Sequence, residues 1–281
     1  MRKIIVTADD FGAAIAVNEA VEIAHRDGIL TAASLMVAGA AADDAVARAR
    51  RLPALGVGLH IVLADGAPVL PPERIPALVG ADGRFPAGML RTAFAIAFNP
   101  AARRQMEAEV SAQFAAFAAT GLPLDHVNAH KHFHLHPMIA TAILRAGRRH
   151  GLKAIRVPVE PGAGMVMNWW SGLLGRRLRR AGLTVNDRVV GLVASGSFDA
   201  SRMCAALESL PEGLTEIYCH PATADAWPGS APGYRNRDEL AGLIDPQVRA
   251  ALIASGAECG TFARFGAMVA PVSMAGAVMA A

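Results

Sequence analysis

Apolar positions along the chain alternate between two periods. Short runs rich in β-branched and other apolar residues, at 3–7, 33–37, 57–62, 124–128, 154–159 and 215–219, have the length and composition of buried strands. Between them the period lengthens. In 17–26, Val17, Ala20, Val21 and Ala24 fall on one helical face, and 43–51, 101–119, 138–150 and 246–254 show similar spacing. Pro137 suits the first position of its helix. Strand–helix alternation over the whole length predicts an α/β fold with a mostly parallel sheet. Six strands, with fainter ones near 189–193 and 259–262, point to a distorted or incomplete (β/α) barrel of the TIM type. A doubly wound open sheet is the alternative. The stretch 64–100, with Pro68, Pro71, Pro72, Pro76 and Pro86, reads as a long irregular surface loop, and loops of that length usually serve function. The pattern predicts one domain over 1–265 and an apolar tail over 266–281.

Composition and charge add four points. The three cysteines, Cys204, Cys219 and Cys259, show no CxxC spacing, which argues against a disulfide framework and for a reducing, cytoplasmic setting. The net charge of +3 gives no reason to expect nucleic acid as a partner. The N-terminal apolar run is too short for a signal peptide. The uncharged stretch from Phe265 onward falls short of a membrane span and contains Pro271.

Candidate chemistry clusters at predicted strand ends, where α/β and barrel folds place their sites. Thr7-Ala8-Asp9-Asp10-Phe11-Gly12 puts two carboxylates at such an end, although a turn and an N-cap for a helix from about Ala14 would use the same residues. His126, His130, His132, His134 and His136 share one parity with Asn128, so on an extended backbone they would all face one way. Imidazoles gathered in this way suit metal ligation and proton transfer. Gly56-Val57-Gly58-Leu59-His60 and Glu216-Ile217-Tyr218-Cys219-His220-Pro221 each end in a further His. A carboxylate with two imidazoles makes an oxygen/nitrogen site for one divalent ion, with Zn, Mg, Mn, Co and Ni all admissible. Such an ion activates water and polarises a carbonyl. A second carboxylate and a His nearby could move protons, the parts of an amide or ester hydrolase. Two other readings compete. One is a phosphoesterase or peptidase, which calls for two metals and more carboxylates; the other is a non-enzymatic sugar- or lipid-binding protein with a closed structural metal.

Four ordered motifs, TADDFG at 7–12, GLH at 58–60, HVNAHKHFHLHP at 126–137 and YCHP at 218–221, resemble the YdjC-like carbohydrate deacetylases, which include chitooligosaccharide deacetylase. The resemblance implies a barrel-like fold and removal of acetate from N-acetylglucosamine units. It implies metal ligands at Asp10, His60 and His130, with Asp9 as general base and His220 as acid or orienting group. It places Asn128, His132, His134 and Arg156 around the metal or the substrate. Asn128 stands where members of the family often carry Asp; it accepts a hydrogen bond but brings no charge. The segments HRDGILTAASLMV, LPPERIPALV, ADGRFP, TGLPLDHVNAHKH and TEIYCHPAT are similar to the hopanoid-biosynthesis branch of the family. That similarity implies an N-acetylated hopanoid glycolipid as substrate. Trp169 and Trp170, followed by Arg176, Arg177, Arg179 and Arg180, have the makeup of an interfacial segment. The expectation is peripheral contact at the inner membrane face, with a homodimer left open.

Overall fold

The computed structural model describes residues 1–267. Seven strands, β1 (Arg2–Phe11), β2 (Ala32–Leu35), β3 (Gly56–Ile61), β4 (Val127–Ala129), β5 (Arg188–Val190), β6 (Gly213–Cys219) and β7 (Glu258–Cys259), form one sheet. Ten helices accompany them: α1 (Ile15–Asp27), α2 (Ala42–Ala49), α3 (Met89–Phe98), α4 (Pro100–Ala119), α5 (Pro137–Arg149), α6 (Met165–Arg180), α7 (Ala200–Glu208), α8 (Asn236–Ile244), α9 (Pro246–Ala254) and α10 (Phe262–Ala267). All pairings between the strands are parallel, in the order β4-β3-β2-β1-β6-β5, with β7 against the start of β1.

Burial on both faces explains the unbroken apolar runs of the central strands. Ile4, Ile5, Val6, Ala8 and Phe11 of β1 are all inaccessible to solvent. The predicted face of α1 is the buried one, Val17, Ala20, Val21 and Ala24 together with Asn18.

The sheet curls into an incomplete barrel, as predicted, and not into a doubly wound open sheet. Its two edges, β4 and β5, are joined through 154–159. That run is not the ladder strand the sequence pattern suggests. Single bridges link Val127 to Ile155 and Ala154 to Thr184. Pro158 has no N–H to offer a ladder. The Asn186 side chain takes over instead, accepting from Val157 N at 2.8 Å and donating to Val157 O at 2.7 Å.

Two other expectations change. The stretch 64–100 contains α3 and a 3₁₀ turn at Pro72–Arg74, and it docks firmly. Ile75, Leu78, Phe85 and Ile96 are buried, while Glu109 of α4 accepts from Val69 N and Leu70 N. The five histidines do not share a face. After β4 the chain enters a 3₁₀ turn at His130–Leu135, with Lys131 and His132 at left-handed φ of 54°, so each ring points its own way. The expected apolar tail over 266–281 lies, from residue 268 onward, outside the described residues. No helix among the described residues is long and apolar enough to cross a membrane.

Candidate metal centre and its surroundings

The chemistry gathers at the C-terminal ends of the parallel strands, on the floor of a cavity of about 780 Å3. Adjacent residues of a regular strand would point to opposite faces. Asp9 and Asp10 nevertheless both line the cavity. The register of β1 against β2 shifts between Ala8 and Phe11, and Asp10 sits at φ 62°, an uncommon left-handed conformation for a non-glycine residue. The helix-cap alternative for this pair does not hold. The cap residue of α1 is Ala14, and it makes no side-chain bond.

Three donor atoms converge beside Asp9. His60 Nε2 lies 3.3 Å from Asp10 Oδ1 and 3.3 Å from His130 Nδ1. His130 Nδ1 lies 3.1 Å from Asp10 Oδ1. Three ligands of a tetrahedral ion with bonds of about 2.1 Å would be spaced about 3.4 Å apart. Adjacent ligands of an octahedral one would be spaced about 3.0 Å. The observed triangle falls between these, so Asp10, His60 and His130 fit a single divalent cation in either geometry. Burial raises the Asp10 carboxyl, but His130 and His60 outweigh it and hold the group well below its ordinary range.

Asp9 is nearly inaccessible and doubly pinned. Arg156 Nη1 donates to Oδ2 at 2.5 Å, and Nη2 donates to Oδ1 at 3.0 Å. Asn128 Nδ2 also donates to Oδ1, at 2.9 Å. Arg156 reaches Glu216 with Nε at 3.0 Å and Nη2 at 2.8 Å and stacks on the Tyr218 ring at 4.6 Å. Burial pushes Asp9 up, yet the Arg156 charge and its hydrogen bonds win and hold the carboxyl far below the usual range. Arg156 is wholly buried; it holds Asp9 from behind and is absent from the cavity wall.

His220 and His132 also line the cavity. His132 Nε2 meets Tyr218 Oη at 3.1 Å. Both rings keep a buried Nδ1 with no partner. His134 lies deeper, with Nε2 donating to Arg156 O at 3.0 Å. His126 and Asn128 are fully buried, and His136 accepts from Met138 N as the cap of α5. The arrangement thus brings together Asp9, Asp10, His60, His130, His132 and His220. It sets Asn128, His134 and Arg156 behind them, and leaves Trp169, Trp170 and the four arginines outside on α6.

Residues 3–254 match the family model described as YdjC-like protein. The chain belongs to the YdjC-like family. This YdjC-like protein is 31% identical to the carbohydrate deacetylase of Geobacillus stearothermophilus over 94% of its own length and 98% of that relative. It is 30% identical to the human carbohydrate deacetylase over 91% and 88% of the two chains. The match to the Brevibacillus brevis carbohydrate deacetylase is 39% identical, spanning 56% of this chain and 58% of the relative. A solved protein of Enterococcus faecalis V583, proposed to act in cellobiose-phosphate cleavage, shares the fold with a TM-score of 0.78. It is 23% identical, over 94% of this chain and 98% of the other.

Sequence reasoning missed Glu216, Tyr218 and Ser34. The first two were detectable, because Glu216, Tyr218 and His220 share one parity on β6 and its extension. Ser34 carries no such signal among the apolar residues of β2.

Proposed function

We propose that the protein is a divalent-metal-dependent N-deacetylase acting on an N-acetylglucosamine-type sugar. One observation carries the reading. The donor triangle of Asp10, His60 and His130 opens onto a cavity whose wall also holds an ionised carboxylate and two imidazoles. A closed structural site would use four protein ligands. A cation bound there would polarise the acetyl carbonyl and make water a nucleophile near neutral pH. Asp9 is assigned the proton of the attacking water, and His220 the proton delivered to the leaving amine. The hydrogen bonds that both Asp9 oxygens already accept favour one variation. In it, Asp9 acts through its charge and holds the site in shape, and His132 takes the proton. The names of the relatives, carbohydrate deacetylases, support the substrate class.

The acetylated sugar is assigned to a glycolipid of the hopanoid type, reached at the inner membrane face. Two exposed helix faces support this. On α6, Val166, Trp169, Arg176 and Arg180 share one face, while Ser171, Leu174, Gly175 and Leu178 pack inward. On α3, Leu90, Phe94 and Phe98 are exposed one turn apart. The His130–Leu135 turn reaches one of these helices directly, because Trp170 Nε1 donates to Leu135 O at 2.8 Å. Aromatic and aliphatic side chains suit the headgroup boundary, and each nearby arginine contributes about 1 kcal/mol toward anionic lipid.

Acetate release tests the proposal, measured on N-acetylated glycolipid in vesicles and on soluble chitooligosaccharides, with and without chelator. Release should stop with chelator and return on adding a divalent ion. Full activity after chelation, or no release from any N-acetylated sugar, would overturn it.

A further inference from the structure

Behind the cavity, Asp125, His126 and Ser34 form a buried Asp-His-Ser line. His126 Nδ1 lies 2.9 Å from Asp125 Oδ2, and His126 Nε2 lies 3.0 Å from Ser34 Oγ. The spacing matches a nucleophilic triad. Ser34 is nevertheless inaccessible and absent from the cavity wall, so it is no nucleophile. It contacts Asn128, whose Nδ2 donates to Ser34 Oγ at 2.9 Å.

The direction of every bond in this line follows from its ends. Asp125 accepts Ala263 N–H at 2.8 Å and, as a carboxylate, can only accept from His126. A neutral His126 therefore carries its proton on Nδ1 and offers a lone pair on Nε2. Ser34 gives its hydroxyl proton to that lone pair and keeps its oxygen for the Asn128 amide. Asp9, also acceptor-only, takes the other amide proton. Both N–H groups of Asn128 are thus committed, and its Oδ1 faces His60 Nδ1 at 2.6 Å. That contact requires a proton on His60 Nδ1, so the atom the neutral ring offers as a lone pair is Nε2, on the side of Asp10 and His130. With the amide reversed, an N–H would face His60 Nδ1. The His60 proton would then sit on Nε2, inside the donor triangle.

The fold makes room for this line. A Cβ on Gly58 would come within 2.5 Å of the His126 ring, and one on Gly56 within 2.8 Å of Asp125 Cγ. The two glycines of the Gly56-Val57-Gly58-Leu59-His60 motif vacate the space that the pair fills. Phe262 closes the far side, 4.8 Å from the His126 ring.

We propose that Ser34, His126 and Asp125 are positioning residues which, through the Asn128 amide, hold His60 in the Nδ1–H tautomer that presents Nε2 to a metal. The proposal rests on His60 being a ligand. Its first test needs neither metal nor activity. In ¹⁵N-labelled metal-free protein, long-range ¹H–¹⁵N spectra should show His60 protonated on Nδ1 and His126 protonated on Nδ1. His60 protonated on Nε2 and not on Nδ1 would overturn the proposal even if the enzyme deacetylates sugars. The second test measures Co²⁺ affinity and the cobalt visible spectrum in Ser34→Ala and Asn128→Leu. Loss of such supporting partners typically weakens metal binding about 10–100-fold. Ser34→Ala is expected near the lower end, with a mixed His60 tautomer, and Asn128→Leu near the upper. Asp125→Asn has one acceptor oxygen for two donors, His126 Nδ1 and Ala263 N; an amide N–H turned toward His126 favours its Nε2–H tautomer, so this variant should lose Co²⁺ affinity as His126→Phe does. A purely structural line would lower thermal stability yet leave tautomer and Co²⁺ affinity of the folded protein unchanged, and that result would refute the assignment.

Discussion

Replacing Arg156 with Met removes a wholly buried guanidinium and strands two buried carboxylates. Arg156 makes four charge-assisted hydrogen bonds, two to Asp9 and two to Glu216. Removing one partner of a buried ion pair costs about 3–5 kcal/mol, because the remaining charge stays desolvated. Domains are stable by about 5–15 kcal/mol, so Arg156→Met should fold with a much reduced margin. Its pH dependence distinguishes the cause from lost packing. In the wild type the Asp9 pKa is depressed, so its contribution is complete above the unfolded carboxyl value and is lost only as pH falls through the acid range. In the variant, burial is opposed only by the Asn128 hydrogen bond and the nearby His60 and His220, so the pKa rises. The penalty then grows as pH rises through the raised value and shrinks on acidification. Urea unfolding at pH 8 and pH 5 should show a gap of about 3–5 kcal/mol that narrows at the lower pH. Adding Asp9→Asn and Glu216→Gln to Arg156→Met should recover part of the loss. A gap below about 1 kcal/mol, or one of equal size at both pH values, would refute the reasoning.

Three further outcomes are expected. Burial, reinforced by the Arg156 charge, depresses His134 to about 3. The unfolded chain therefore binds the extra proton first, and stability falls with pH below the unfolded value, by about 2 kcal/mol at pH 5; His134→Gln should flatten that slope in urea titrations, and an unchanged slope would assign it elsewhere. Asp10→Asn should lose bound metal, while Asp9→Asn should keep it and turn over about 100- to 10,000-fold more slowly; metal analysis of both proteins decides, and the reversed pattern contradicts the ligand assignment. Trp169→Ser should weaken binding to anionic vesicles and activity on vesicle-borne glycolipid while sparing a soluble N-acetylglucosaminide; equal loss on both would make the ring a folding element, a role already suggested for Trp170 by its bond to Leu135.

The barrel and the donor triangle were legible for different reasons, the barrel from periodicity and the choice of Asp10, His60 and His130 from the family resemblance. Periodicity exposes β1, β2, β3 and β6, because strands buried on both faces carry unbroken apolar runs. It also marks their ends, where Asp9, Asp10, His60 and His220 stand. The same reasoning failed where backbone hydrogen bonds give way to side chains. The run 154–159 pairs as a parallel strand would only at Ala154 and Ile155; beyond them the Asn186 clamp and Pro158 interrupt the ladder. The parity of the five histidines presumed an extended chain, and left-handed Lys131 and His132 break that parity after one residue of turn. Ser34 stayed invisible because its role depends on a neighbour 92 positions away, and local pattern holds no information about such a pairing.

The failure at 154–159 also explains why the site holds together. An incomplete barrel leaves its edges short of backbone hydrogen bonds, and the bridging segment meets β4 and Thr184 at single residues. Arg156 lies in that segment. Its guanidinium crosses the barrel interior to Asp9 on β1 and Glu216 on β6, neighbouring strands at the centre of the sheet. The ion pairs therefore fasten the weakest part of the wall to its strongest part. The same contacts keep Asp9 ionised and fixed beside the donor triangle. The dependence is mutual: a change that loosens the 154–159 segment should be felt first at Asp9, and a change that removes the Asp9 charge should loosen the segment. Hydrogen exchange at Val157, whose N–H is held by Asn186, should therefore speed up in Asp9→Asn while exchange within β2 and β3 stays unchanged. Unaltered protection at Val157 would separate closure of the barrel from the chemistry of its floor.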